Sequence, residues 1–150
     1  MDREAVIENL AKCNRTYTRF TTAAMSEILP DIPDAPSGWN TDNHYFYEIV
    51  NRSGKSVYIQ LAFSSRNATE EFMAMCDRIN EYYPSKVQKD GGLWRTPFKT
   101  STVEIGDDLS KEAIFAGLDA CLKEIQKFEA DLKQKLDADC IRQGYSDTAP

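Results

Sequence analysis

The sequence predicts an α+β domain, a small antiparallel sheet (a hairpin plus an edge strand) packed by helices in the order α-β-β-α-β-α, with long N- and C-terminal helices. Three observations carry this. Apolar residues recur every three or four positions near both ends, they alternate at every second position over 44–63, and clusters of Pro, Gly and Asn separate these stretches. At 150 residues, with 41% hydrophobic and 28% charged, the chain has ordinary globular composition and needs no covalent staple to build a core.

One domain over 1–150 accommodates every segment. Over 1–29, Val6, Leu10, Cys13, Tyr17, Phe20 and Ala24 follow helical spacing and predict one long helix, weakened in its middle by Thr16, Thr18, Thr21 and Thr22, whose β-branches restrict χ1. Residues 30–43 form a connector in which Pro30, Pro33 and Pro36 forbid helix and Gly38 closes the run. The body spans 44–138. Its hairpin turns at Asn51-Arg52-Ser53-Gly54, and the odd positions Val57, Ile59, Leu61 and Phe63 face the core while Tyr58 and Gln60 take the other face. Asn67 and Glu70 resemble a capping box ahead of a helix whose stripe is Phe72, Met75, Cys76, Ile79 and Tyr83, ended by Pro84. A third strand over 93–105 contains Pro97, which lacks an amide donor and so marks an edge or a bulge. Ser110 caps a last helix striped by Ile114, Leu118, Cys121, Ile125, Phe128 and Leu132, and 139–150 reads as a mobile tail.

Charge and motifs exclude more than they identify. The 18 basic and 24 acidic residues leave a net −6, distributed as −3 over 1–43, +2 over 44–103 and −5 over 104–150. A wholly nucleic-acid-coating or anionic-lipid-coating surface does not fit that balance. No apolar run approaches the roughly 18 residues of a membrane span, and the opening Met1-Asp2-Arg3-Glu4 is no signal peptide, so a cytoplasmic protein is expected and the sequons at Asn14, Asn51 and Asn67 read as chance. The four cysteines form no C-x-x-C, the single histidine leaves no Ser–His–Asp or Cys–His device, and no phosphate-binding glycine loop occurs. The thiols read as reduced core residues. No cofactor, metal site or catalytic residue is expected.

Two candidate constellations remain. A metal-dependent nuclease would need clustered carboxylates, for which the hairpin offers Glu48, with Asp42 just before it. Arg95 and Lys99, with Lys86 and Lys89 before them, stand beside Trp94, Phe98 and Tyr83, and would contact a phosphate backbone if both strand cations shared the solvent face. The simpler alternation puts Trp94 and Phe98 in the core with Arg95 and Lys99 outside.

Over 29–136 the chain resembles the non-catalytic C-terminal region of bacterial PD-(D/E)XK nuclease-superfamily proteins, and more loosely a domain of unknown function appended to restriction-type endonucleases. The strings that carry this are Leu29-Pro30-Asp31-Ile32-Pro33, Ser37-Gly38-Trp39, His44-Tyr45-Phe46-Tyr47-Glu48-Ile49-Val50-Asn51-Arg52, Tyr58-Ile59-Gln60-Leu61-Ala62, Ile79-Asn80-Glu81-Tyr82-Tyr83-Pro84-Ser85 and Trp94-Arg95-Thr96-Pro97-Phe98. The nuclease core has no counterpart here, so the resemblance implies an accessory domain and transfers no catalytic residue. The resulting expectation is a non-enzymatic domain acting through a protein partner or DNA, with Arg52, Lys55, Arg95 and Lys99 as contacts beside Trp39 and His44. The rivals are a metal nuclease built on Glu48, and an acidic interaction protein that inhibits a DNA-binding partner with its C-terminal helix. The apolar stripes of the two terminal helices also allow a homodimer.

Overall fold

Where the sequence predicts the middle of a long helix, Tyr17–Phe20 is a strand, β1, in the computed structural model, which describes residues 17–39, 41–52, 56–84, 94–104 and 111–142. The predicted helix over 2–16 lies outside those residues. Tyr17-Thr18-Arg19-Phe20 alternates as well as it spirals, and its aromatic and β-branched residues favour a pleated surface. What decides is the neighbour: β1 pairs antiparallel with β2 (Tyr45–Arg52), whose backbone groups would otherwise form an open edge. Helix follows in α1 (Ala23–Ile28), where the Thr22 hydroxyl accepts from the Met25 N–H at 3.1 Å.

The hairpin forms as its alternation requires. Strand β2 pairs with β3 (Ser56–Ser64) from Tyr45 opposite Phe63 to Arg52 opposite Ser56. The following helix, α2 (Glu70–Tyr82), starts two residues later than the sequence motif implies. Its cap is Thr69, whose hydroxyl accepts from the Phe72 N–H at 3.1 Å. Asn67 adopts a left-handed φ of 55° and donates through Nδ2 to the Pro36 carbonyl at 2.9 Å, so it ties the turn to the connector.

The single third strand predicted over 93–105 is two strands, β4 (Trp94–Lys99) and β5 (Val103–Glu104), both paired with β3. The register shifts between Leu61 and Phe63, opposite Pro97, and β4 ends the path β1-β2-β3-β4, so the proline sits both at an edge and at a bulge. Thr100 bridges the break: its N–H donates to the Ile59 carbonyl at 2.8 Å and its hydroxyl accepts from the Ile59 N–H at 2.9 Å.

The last helix, α3 (Lys111–Arg142), is about 48 Å long at 1.5 Å per residue, against roughly 30 Å for the nine residues of β3. It overhangs the sheet. Its stripe Cys121, Ile125, Phe128 and Leu132 is buried with Phe72, Cys76 and Ile79 of α2 against one sheet face, where register aligns Phe20, Tyr47, Leu61 and Phe98. Phe98 stacks on Phe128 with centroids 4.0 Å apart. Because this stripe is spent on the chain's own sheet, it is not the free seam that a helix-mediated homodimer would need. The cap expected at Ser110 and the tail over 143–150 lie outside the described residues, while residues 139–142 continue the helix.

Among the described residues no helix is long and apolar enough to cross a membrane. Cys76 and Cys121 are buried free thiols, and burial pushes both above the usual thiol range, Cys76 well above it. Cys140 departs from the core-thiol expectation, since it is exposed on the overhanging turn beside Ile141, which is 78% exposed.

Candidate functional site

The face of the sheet opposite the helices carries a polar row set by register: Arg19 opposite Glu48, Glu48 opposite Gln60, Gln60 opposite Lys99. Glu48 is buried and both its oxygens are taken. Arg19 Nε donates to Oε2 at 2.8 Å and Gln60 Nε2 donates to Oε1 at 3.1 Å. Asp42, its supposed partner at a metal, accepts from the Asp34 N–H at 3.2 Å. No cluster of three or more His, Cys, Asp or Glu suited to a metal ion occurs among the described residues. Glu48 is therefore the centre of a cross-strand tie, and Glu48→Gln is expected to cost about 1 kcal/mol of stability by weakening its charge-assisted bond. Urea denaturation checks this, and loss of a Mg²⁺-stimulated DNA cleavage in the same variant would instead assign Glu48 to chemistry.

The two strand cations do not share a face. The bulge at Thr96-Pro97 places Arg95 across from Phe63, on the helix-covered side, whereas Lys99 lies across from Gln60 on the other. Arg95 reaches α2 and pairs with Asp77 at 2.8 Å, and Lys99 holds its ammonium 4.3 Å from the Tyr58 ring. The expectation that both solvate one outer face is thus corrected by a one-residue register shift. Lys55, Lys86 and Lys89 and the side chains of Arg52 and Trp94 lie outside the described residues.

His44 is no surface contact. It is 1% exposed, with Nδ1 and Nε2 each 2.8 Å from a backbone carbonyl, those of Asp42 and Arg66, and its ring stands edge-on to Phe72. It clamps the end of the connector to the turn after β3. Trp39 packs edge-on to Phe46 at 5.2 Å, with the Arg19 guanidinium 5.9 Å from its ring centre, so it belongs to the polar sheet face.

A different site gathers around α1. Two cavities of about 450 Å³ flank this helix and share Glu27 and Ile28. On the α2 side the floor is Ile28, Ile32, Phe72 and Met75, and the rim carries Glu27, Asp31 and Glu71. On the α3 side Glu129, Lys133, Leu136 and Asp137 complete the wall. Glu129 is 8% exposed and accepts from two hydroxyls, Tyr47 at 3.0 Å and Thr22. Thr22 in turn takes the Tyr45 hydroxyl on its carbonyl at 3.2 Å, and Tyr45 lies 2.5 Å from Ser26 Oγ. This network fastens α1 to β2 and α3. Burial pushes the Glu129 carboxyl above the usual range, opposed by the Thr22 and Tyr47 bonds, and burial likewise raises Tyr45 and Tyr47.

None of these groove residues was singled out as a candidate from the sequence. One signal existed for Glu129, since it falls four residues after Ile125 and three before Leu132 and so sits on the edge of the apolar stripe. Glu27, Asp31 and Glu71 are distant in sequence and carried no signal of convergence. No family model, curated protein or solved structure matches this chain.

Proposed function

We propose that the chain is a non-enzymatic binding domain that acts through a protein partner rather than through DNA. The observation that supports this is the fate of the β4 cations. Arg95 is directed to the helix side and held by Asp77, and Lys99 stands alone of the pair on the opposite face, so β4 presents no basic strip to a phosphate backbone. The exposed carboxylates collected around α1 repel nucleic acid from that side as well. An accessory role beside a larger protein agrees with the resemblance to nuclease-associated regions.

Fluorescence anisotropy of labelled single- and double-stranded DNA, repeated over a salt series, tests the reading. The expected result is no binding with a steep salt dependence. Binding that falls steeply with salt and is lost in Lys99→Glu would overturn it. Lys99 is the better probe because it is exposed, whereas Arg95→Glu would also break an ion pair inside the fold.

A further inference from the structure

We propose that the groove around α1 takes a basic segment of a partner protein, its apolar anchor seated on Ile28, Ile32, Phe72 and Met75 and its Lys or Arg side chains reaching Glu27, Asp31 and Glu71. This rests on the reading of the chain as a protein-binding domain and names the chemistry of the partner.

Charge complementarity carries the argument. Five carboxylates line the two cavities against one cation, Lys133, among the described residues. Glu129 is engaged inside the fold, but among the described residues Glu27, Asp31 and Glu71 form no ion pair. Glu71 has a local reason for its place, because the first turn of α2 favours negative charge. Glu27 has none. It lies in the last turn of α1, where outward carbonyls disfavour an anion, and it borders both cavities. Asp31 stands in the connector between Pro30 and Ile32, where neither a helix end nor a described cation accounts for it.

The floor supplies what charge alone lacks. Rim ion pairs in water steer and select a partner, whereas fully desolvated apolar anchors hold it. Phe72 is buried, while Ile28, Ile32 and Met75 are only partly covered by the chain's own atoms, so an apolar side chain has surface left to bury. Between the prolines and α2 the cleft is open to solvent along an edge with no described cation, which excludes an acidic segment by like-charge repulsion.

The test uses the full chain and three labelled synthetic peptides of equal length: an amphipathic peptide of Lys and Leu, the same peptide with Glu for every Lys, and a peptide of Lys and Ser. Anisotropy should show binding of the Lys/Leu peptide, at least about tenfold weaker binding of the Lys/Ser peptide, no binding of the Glu/Leu peptide, and about a tenfold loss in the double variant Glu27→Lys, Glu71→Lys. Both positions are exposed, and the gain from Glu27→Lys in the last turn of α1 offsets the loss from Glu71→Lys in the first turn of α2, so the variant should keep its urea midpoint. If it does not fold, Glu27→Gln with Glu71→Gln should weaken the Lys/Leu peptide about threefold. Undiminished binding to the variant, or equal binding of the Glu/Leu peptide, overturns the groove assignment while leaving a protein-binding domain. Failure of all three peptides overturns it too, and if DNA binds under the same conditions the parent reading falls with it.

Discussion

Replacing His44 by alanine is expected to destabilise the fold by about 3–5 kcal/mol, enough to remove much of the roughly 5–15 kcal/mol that holds a typical domain together. Two terms add. The imidazole fills space against Phe72, and its two nitrogens lie 2.8 Å from the carbonyls of Asp42 and Arg66, so alanine removes a ring N–H donor from carbonyls at this corner and leaves a void beside Phe72. The loss should begin locally. The Ser37 N–H donates to Thr41, the Ser64 N–H to the His44 carbonyl and the Ser64 hydroxyl to the Ser37 carbonyl, so the connector stays on the sheet only while this corner is intact. Chemical denaturation reads the total and hydrogen exchange at Ser37 and Ser64 reads the corner. A loss below about 1 kcal/mol, with those amides still protected, would show that His44 is not the clamp.

His44 is expected from the sequence only as a neighbour of the contacts Arg52, Lys55, Arg95 and Lys99, and a period-two pattern gives the face of a strand residue without showing what lies over it. What was legible is what local pattern controls. Alternation over Val57, Ile59, Leu61 and Phe63 matched the core face of β3, the 3.6-residue stripes of α2 and α3 matched the residues they bury, and Pro97 marked its own bulge. What was not legible depends on partners distant in the chain. Tyr17–Phe20 fits a helix by spacing and a strand by propensity, and only the open edge of β2 decides between them. The separation of Arg95 from Lys99 is a register effect, since the extra residue that β4 inserts at Thr96-Pro97, opposite Ala62, turns a predicted outward pair into residues on opposite faces. The acidic groove is less legible still. Its carboxylates come from α1, the connector, α2 and α3, and no spacing rule joins Glu27 to Glu71.

Glu129→Ala is expected to cost about 2–5 kcal/mol, because it leaves the Tyr47 hydroxyl and the Thr22 hydroxyl without their acceptor in the interior and detaches α1 from α3. The pH dependence separates the roles of burial and hydrogen bonding. Burial raises the Glu129 carboxyl above its unfolded value, so below the usual carboxylate range the group is protonated in both states and its ionisation costs the fold nothing. As pH rises, the unfolded chain ionises first, and stability falls until the folded carboxyl has also lost its proton. Asp131 acts in the opposite sense. The Tyr83 hydroxyl and Lys135 hold it below the usual range, so its contribution is present above that range and lost on acidification. Subtracting the profile of Glu129→Gln, which keeps the shape and removes the titration, cancels Asp131 and isolates Glu129. Urea midpoints measured from about pH 4 to about pH 8 should show wild type losing ground to the glutamine variant with rising pH. A constant difference would mean that the two donated bonds balance the burial. Wild type gaining ground instead would mean that Tyr47 and Thr22 hold Glu129 as a carboxylate, making this corner of the groove an anion that a cationic partner could use.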